Sequence, residues 1–209
     1  LRIIDINLAK GNTKKALTQI NSFKRNFKKG DEKLILKIKE SQINFYAGNF
    51  QSAGDSLIQV LKNLPKDAPR YNDLLDVQSI ILAFTDEDES FANFAQVQLL
   101  IRQNKRTHAL EILSTQMEVQ NNFIKDISLY QTAYIHILQN EFDVATQKLI
   151  LVSGETIFSE MSMILHAEIL DFMVGDVGAA IDIYLQFLED YPLSIYYDDI
   201  RIRLRELAS

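Results

Sequence analysis

The chain contains no cysteine and no tryptophan, and only three prolines and seven glycines in 209 residues. Without cysteine there are no disulfides, no thiolate nucleophiles and no Cys-ligated zinc or iron–sulfur centres. Scarce Gly and Pro argue against disorder, collagen-like sequence and turn-rich all-β folds. No stretch approaches the ~18 consecutive apolar residues of a membrane-spanning helix. The phosphate-binding, nucleophile-elbow and H-E-x-x-H motifs are missing too; Gly175-Asp-Val-Gly178 reads as a helix turn rather than a phosphate cradle. What remains is an ordinary globular balance, 47% hydrophobic and 24% charged, in a chain of 24.0 kDa. That is enough for one large domain or two small ones with a sizeable core.

The charge is uneven. Residues 1–40 carry eleven Lys and Arg against four Asp and Glu, a local charge of +7, whereas residues 41–209 carry eleven against twenty-four, or −13. An acidic body repels phosphates, so no nucleic acid is expected as partner. The basic end, Lys10 to Lys39, would suit an acidic partner or an anionic lipid surface. In 13–27, however, Ala16, Leu17, Ile20, Phe23 and Phe27 share one helical face and leave the lysines on the other, as a solvated face does. The chain opens at Leu1 in mid-pattern (Leu1, Ile3, Ile4, Leu8), so it reads as the C-terminal part of a longer protein.

Apolar residues recur at helical spacing nearly everywhere, and clean alternation and Asn-Gly hairpins are missing. The pattern predicts an all-α chain with helices near 1–10, 13–27, 32–47, 51–63, 70–84, 89–103, 106–119, 122–139, 142–152, 156–174, 177–190 and 194–208. Short loops make successive helices antiparallel. The run Asp86-Glu87-Asp88-Glu89 stands where acid favours a helix N-terminus and lacks the spaced ligands and Gly of a calcium loop.

A repeat emerges from the turns. A Gly or Asn is followed five residues later by Ala at Gly11/Ala16, Gly48/Ala53, Asn104/Ala109, Asn140/Ala145 and Gly175/Ala180, with turn-to-turn intervals of 37, 56, 36 and 35. Four residues after each Ala stands a large side chain, namely Ile20, Leu57, Leu113, Leu149 and Tyr184. Gly or Asn tolerates the left-handed backbone that ends a helix, Ala lets two helices approach, and Pro65 and Pro192 stop the second helix. The long interval holds an extra helix near 70–84, which is expected to break the regularity between a front part (1–66) and a back part (88–209). The segment Asn63–Arg70, with Pro65 and Pro69, is the hinge candidate.

A unit of about 34–37 residues with two helices and a small residue after the turn resembles the tetratricopeptide repeat (TPR). The residues that carry the likeness best are Ala167–Ser194, followed by Phe45–Pro65. The closing stretch Tyr191–Leu204 is similar to the ends of bacterial cell-envelope TPR proteins, which implies a periplasmic or envelope setting. The resemblance implies an α-solenoid of about five antiparallel helix pairs with a C-terminal capping helix. It also implies that the first helix of each pair lines an inner surface. On this chain the inner positions select Phe45, Tyr46, Phe94, Gln98, Arg102, Tyr130, Tyr134, Ile169 and Phe172, with Tyr130/Tyr134 and Phe45/Tyr46 foremost. The Lys and Asn with which some family members hold a terminal carboxylate are missing, so an apolar peptide or partner helix is the expected ligand. The competing reading is a structural spacer or self-association segment that uses its oppositely charged ends. His108, His136 and His166 recur about one repeat apart, without the partners that acid–base or metal chemistry needs. No enzyme activity, cofactor or metal is expected.

Overall fold

The computed structural model describes residues 2–26, 31–68, 70–84, 88–154 and 156–208. Leu1, Phe27, Pro69, Asp86 and Glu87, named above, lie outside them, as do Lys28 and Lys29 of the basic end. Among the described residues there are twelve α-helices and no strand. They are α1 (Arg2–Ala9), α2 (Thr13–Asn26), α3 (Asp31–Tyr46), α4 (Phe50–Asn63), α5 (Tyr71–Ala83), α6 (Asp88–Arg102), α7 (Arg106–Gln116), α8 (Asn122–Ile137), α9 (Phe142–Ile150), α10 (Phe158–Glu168), α11 (Val177–Asp190) and α12 (Tyr197–Leu207). Each expected helix is present, and most ends fall within about three residues of the periodicity. Helix α12 starts later than expected because Pro192 to Tyr196 make successive turns, with the Ser194 amide donating to the Tyr191 carbonyl and the Tyr197 amide to that of Ser194. A second departure is a π-helical continuation of α10 over Ile169–Val174.

All five turn residues of the repeat adopt the left-handed backbone: φ is +74° at Gly11, +77° at Gly48, +59° at Asn104, +60° at Asn140 and +81° at Gly175. The hydrogen bonding explains why so short a turn suffices. After each of the first four, the next amide (Asn12, Asn49, Lys105, Glu141) donates to the carbonyl five residues back at 2.8–2.9 Å. The carbonyl of that same residue accepts the amide of the repeat alanine at 3.0–3.2 Å. One residue therefore closes one helix and caps the next, satisfying backbone groups of both ends. The alanines that follow, Ala16, Ala53, Ala109, Ala145 and Ala180, are at most 1% exposed, and the side chains four residues on are at most 3% exposed.

The chain divides into two compact units, Leu1–Ile112 and Leu113–Ser209. The division falls inside α7, whereas the expected hinge at 63–70 lies within the first unit, linking α4 to α5. In the first unit, consecutive helices α1 to α5 pack pairwise, and α6 packs on both α1 and α3. Ile4, Leu8, Ala16, Ile20, Leu36 and Ile43 form one core. The lysine-rich face of α2 lies opposite, with Lys14, Lys15 and Arg25 exposed; Lys24 pairs with Glu40 of α3 at 2.7 Å. The extra helix α5 is not partnerless: Leu74 and Ile81 pack on Leu57, Val60 and Leu61 of α4.

In the second unit α8, α9, α10, α11 and α12 each pack on the next, and α8 also packs on α10. Two clusters make its core: Ala133, Ala145, Leu149 and Ile169, and Ala167, Ala180, Tyr184, Phe187 and Ile200. Several polar groups buried here are hydrogen-bonded, while Ser162 Oγ and Gln116 Oε1 are buried without a partner among the described residues. Ser128 and Thr132 donate to carbonyls one turn back, each at 2.7 Å. The fully buried Asp126 of α8 accepts from the Ser153 amide at 2.9 Å, the Ser153 hydroxyl at 2.5 Å and the Thr156 hydroxyl at 2.7 Å. That carboxylate anchors the α9–α10 loop.

The register is open to test. Nothing stands within 4 Å of a Cβ built on Gly175, so Gly175→Ala meets only the left-handed backbone. It is expected to cost about 1–2 kcal/mol, and Ala180→Leu about 1–3 kcal/mol by overpacking. Both are measured by urea unfolding; neutrality at both positions would refute the register.

Candidate functional site

The inner positions meet different fates in the two units. In the first, Phe45 of α3 stands among Tyr46, Phe50, Phe91 and Phe94 with ring centroids 5.6–6.1 Å away. Phe50 and Phe91 approach to 4.2 Å, and Phe84 stacks on Phe91 at 4.9 Å and on Phe94 at 5.3 Å. These rings satisfy one another, and Phe84 and Phe91 are buried. Phe45 and Phe94, expected on an open groove, are half-buried members of this aromatic core, as is Tyr46 at its margin. Gln98 is half-buried on α6. Arg102 reaches Asp5 of α1 at 2.8 Å, and the same carboxylate oxygen takes Lys39 of α3 at 2.7 Å. Arg102 thus ties helices together within the unit.

In the second unit the outcome reverses. Tyr134 of α8 is 43% exposed, and Phe172 in the π segment is 58% exposed. Leu138 and Met173, beside them in sequence, are exposed as well. Tyr130, one turn before Tyr134, is half-buried with its ring 5.6 Å from Phe158. Burial, and then the Glu168 carboxylate, push its hydroxyl up to about 12, with Tyr196 and Tyr134 adding to the effect. Tyr130 of α8 packs with Ala133, Leu165 and Ile169, which brings the tyrosine-bearing stretch of α8 against the end of α10 that carries Glu168. Ile169 is corrected: it is 1% exposed, packed with Ala133, Ala145 and Leu149, and offers no surface.

The π segment explains this sorting. The Gly175 amide donates five residues back to the Leu170 carbonyl at 2.8 Å, a wider loop than an α-turn. Within it Ile169 and Asp171 are buried while Phe172, Met173 and Val174 are exposed. Asp171 is held by Arg203 of α12 through two bonds of 2.8 Å, Nε to Oδ2 and Nη2 to Oδ1. The Tyr184 hydroxyl donates to Asp171 at 3.4 Å. The Arg203 hydrogen bonds outweigh burial and hold the Asp171 carboxyl below its ordinary range. Arg203 also lies over the Phe172 ring, 4.6 Å from its centroid, while the residue as a whole stays exposed. Glu168, one turn before Phe172, is raised by burial and by Asp171.

The histidines stand apart from this face. His108 is exposed. His136 Nδ1 lies 2.6 Å from Glu141, a partner five residues on that the left-handed Asn140 turn brings back. His166 borders a cleft of about 350 Å³ with Ser162 and Tyr191, and burial lowers its imidazole from the usual value. Among the described residues no three His, Asp or Glu side chains are placed to hold a metal ion, and no helix is long and apolar enough to cross a membrane. The spacing of 32 residues between Asp171 and Arg203, just short of one repeat, is the one sequence signal that pointed to the pair. No protein-family model matches the chain, and no curated protein matches it.

The ion pair yields a prediction. Asp171 is depressed in the folded state, so its contribution is present above the unfolded carboxylate value of about 3.9 and is lost as pH falls through the folded value. Arg203→Met leaves a buried carboxylate uncompensated and is expected to lower the unfolding midpoint at neutral pH. That deficit should narrow in acid, where the variant's Asp171 is neutral; urea midpoints across the acid range measure it. A deficit independent of pH would show that Arg203 acts through packing alone.

Proposed function

We propose that this chain is a non-catalytic interaction module, a TPR-like α-solenoid that docks a protein or peptide segment on the first-helix face of its second unit. One observation carries the reading. The positions selected by the repeat register present Tyr134 and Leu138 at the end of α8, and Phe172 and Met173 in the π continuation of α10, to solvent, and α8 packs on α10. Large side chains held outward on a rigid frame are what a docking surface requires. The pairing of α8 with α9 and α10 with α11, joined through α9–α10 and α8–α10, supports the solenoid. An envelope setting, resting on the likeness of the closing stretch to bacterial envelope TPR proteins, belongs to the same proposal. A second reading, self-association, draws on Leu193 and Ile195, which are 97% and 81% exposed.

Capture from a lysate of the protein's own source, wild type beside Tyr134→Ala/Phe172→Ala, tests the module. A specific protein retained by the wild type and lost by a variant of unchanged helicity supports the docking face. Recovery of this same chain alone, equally with both forms, shifts the weight to self-association.

A further inference from the structure

The acid of this chain is concentrated in the unit that carries the exposed aromatic face. Residues 1–112 hold 17 Lys and Arg against 13 Asp and Glu, a charge of +4. Residues 113–209 hold five against fifteen, a charge of −10. Anionic lipid, nucleic acid and acidic or carboxylate-terminated peptides are all repelled by such a unit, and a basic partner is drawn to it.

The local chemistry agrees with the overall field. Glu168 is exposed on α10, one turn from Phe172, and has no ion-pair partner among the described residues. The nearest cation of the face, Arg203, is already engaged by Asp171, by Glu206 at 2.9 Å and by the Phe172 ring. Tyr130 and Tyr134 stand one turn apart on the adjacent helix. Aromatic rings on a helix packed against the one that carries an unpaired carboxylate attract a positive side chain twice over, by the ring quadrupole and by charge. The apolar residues beside them give the stem of that side chain and its neighbours something to pack on.

We infer that the occupant of this face is a cationic amphipathic segment of another protein, whose apolar residues seat on Tyr134, Phe172 and Met173 while a Lys or Arg reaches Glu168 across the tyrosine rings. This rests on the docking reading above and names its partner class. The segment is read by one placed carboxylate, so its affinity depends on that position rather than on the sum of the unit's charge.

The test uses the full 209-residue chain and a labelled synthetic helix of about five turns with Leu and Phe on one face and Lys on the other. A second peptide carries Glu in place of every Lys. Anisotropy titrations are expected to show the cationic peptide binding at least about tenfold more tightly, with affinity falling as salt rises. Glu168→Gln should weaken it about fivefold and Tyr134→Ala about tenfold. Asp182→Asn, which removes one charge from the exposed side of α11, should change it by less than about twofold. Circular dichroism and the unfolding midpoint establish that each variant is folded. If both peptides bind alike and Tyr134→Ala abolishes both, the cationic assignment is overturned and the docking face stands. If the cationic peptide binds every variant equally, attraction is diffuse and the placed carboxylate is overturned. If neither peptide binds, the partner class is overturned, and capture of a partner sensitive to Tyr134→Ala/Phe172→Ala would show that the face itself survives.

Discussion

Everything in this chain hangs on five residues with a positive φ. Gly11, Gly48, Asn104, Asn140 and Gly175 each turn the backbone in a single step, and an alanine five residues on is always buried. A residue with a Cβ is disfavoured in that conformation by about 1–2 kcal/mol unless its side chain is short and polar. That is why the positions are held by Gly and Asn alone. Because at the first four of them the next residue both closes one helix and caps the following one, the crossing point of each of those pairs is fixed locally. The alanine then sets how closely the pair can approach. The aliphatic or aromatic residue one turn further fills the space that remains.

With the backbone set this way, equivalent positions are free to diverge. In the first unit the inner aromatics turn on one another, so that Phe45, Phe50, Phe84, Phe91 and Phe94 form a continuous set of ring contacts. Helix α6 lies on α1 and α3 there, and Asp5 takes cations from both α3 and α6. In the second unit Tyr134 and Phe172 stay at the surface, although Phe172 stands three residues before its turn glycine as Phe45 does. One unit covers its aromatics with one another, and the other leaves two of them exposed.

The helices and turns were legible in the sequence because they depend on local chemistry: a left-handed Gly or Asn, a small residue at fixed offset, and apolar spacing. Which inner residues remain exposed was not legible. Phe45 and Phe172 look alike in the pattern, each three residues before a turn glycine, and their difference is made by Phe91 and Phe94 against Phe45, which lie beyond the reach of local periodicity. The same holds for Asp126, whose donors Ser153 and Thr156 sit in a loop 27 and 30 residues away. Ile169 was misplaced because the expected helix was given uniform α-periodicity. The π turn rotates the residues after Glu168, taking Ile169 and Asp171 inward and Phe172 outward. No composition marks such a turn, and the partner of its buried Asp171, Arg203, stands 32 residues away in sequence.

That π segment has a consequence for how the chain tolerates change in length. A π turn holds roughly one residue more than an α-turn spanning the same ladder, so helix α10 carries a spare residue in its last turn. Removing one residue from 169–174 would let an unbroken α-helix run to Gly175 and keep the left-handed turn. The residues beyond the deletion would keep their register, and only those inside the segment would be redistributed between interior and surface. A single codon lost near the end of α10 is therefore a route to a new surface on an old frame.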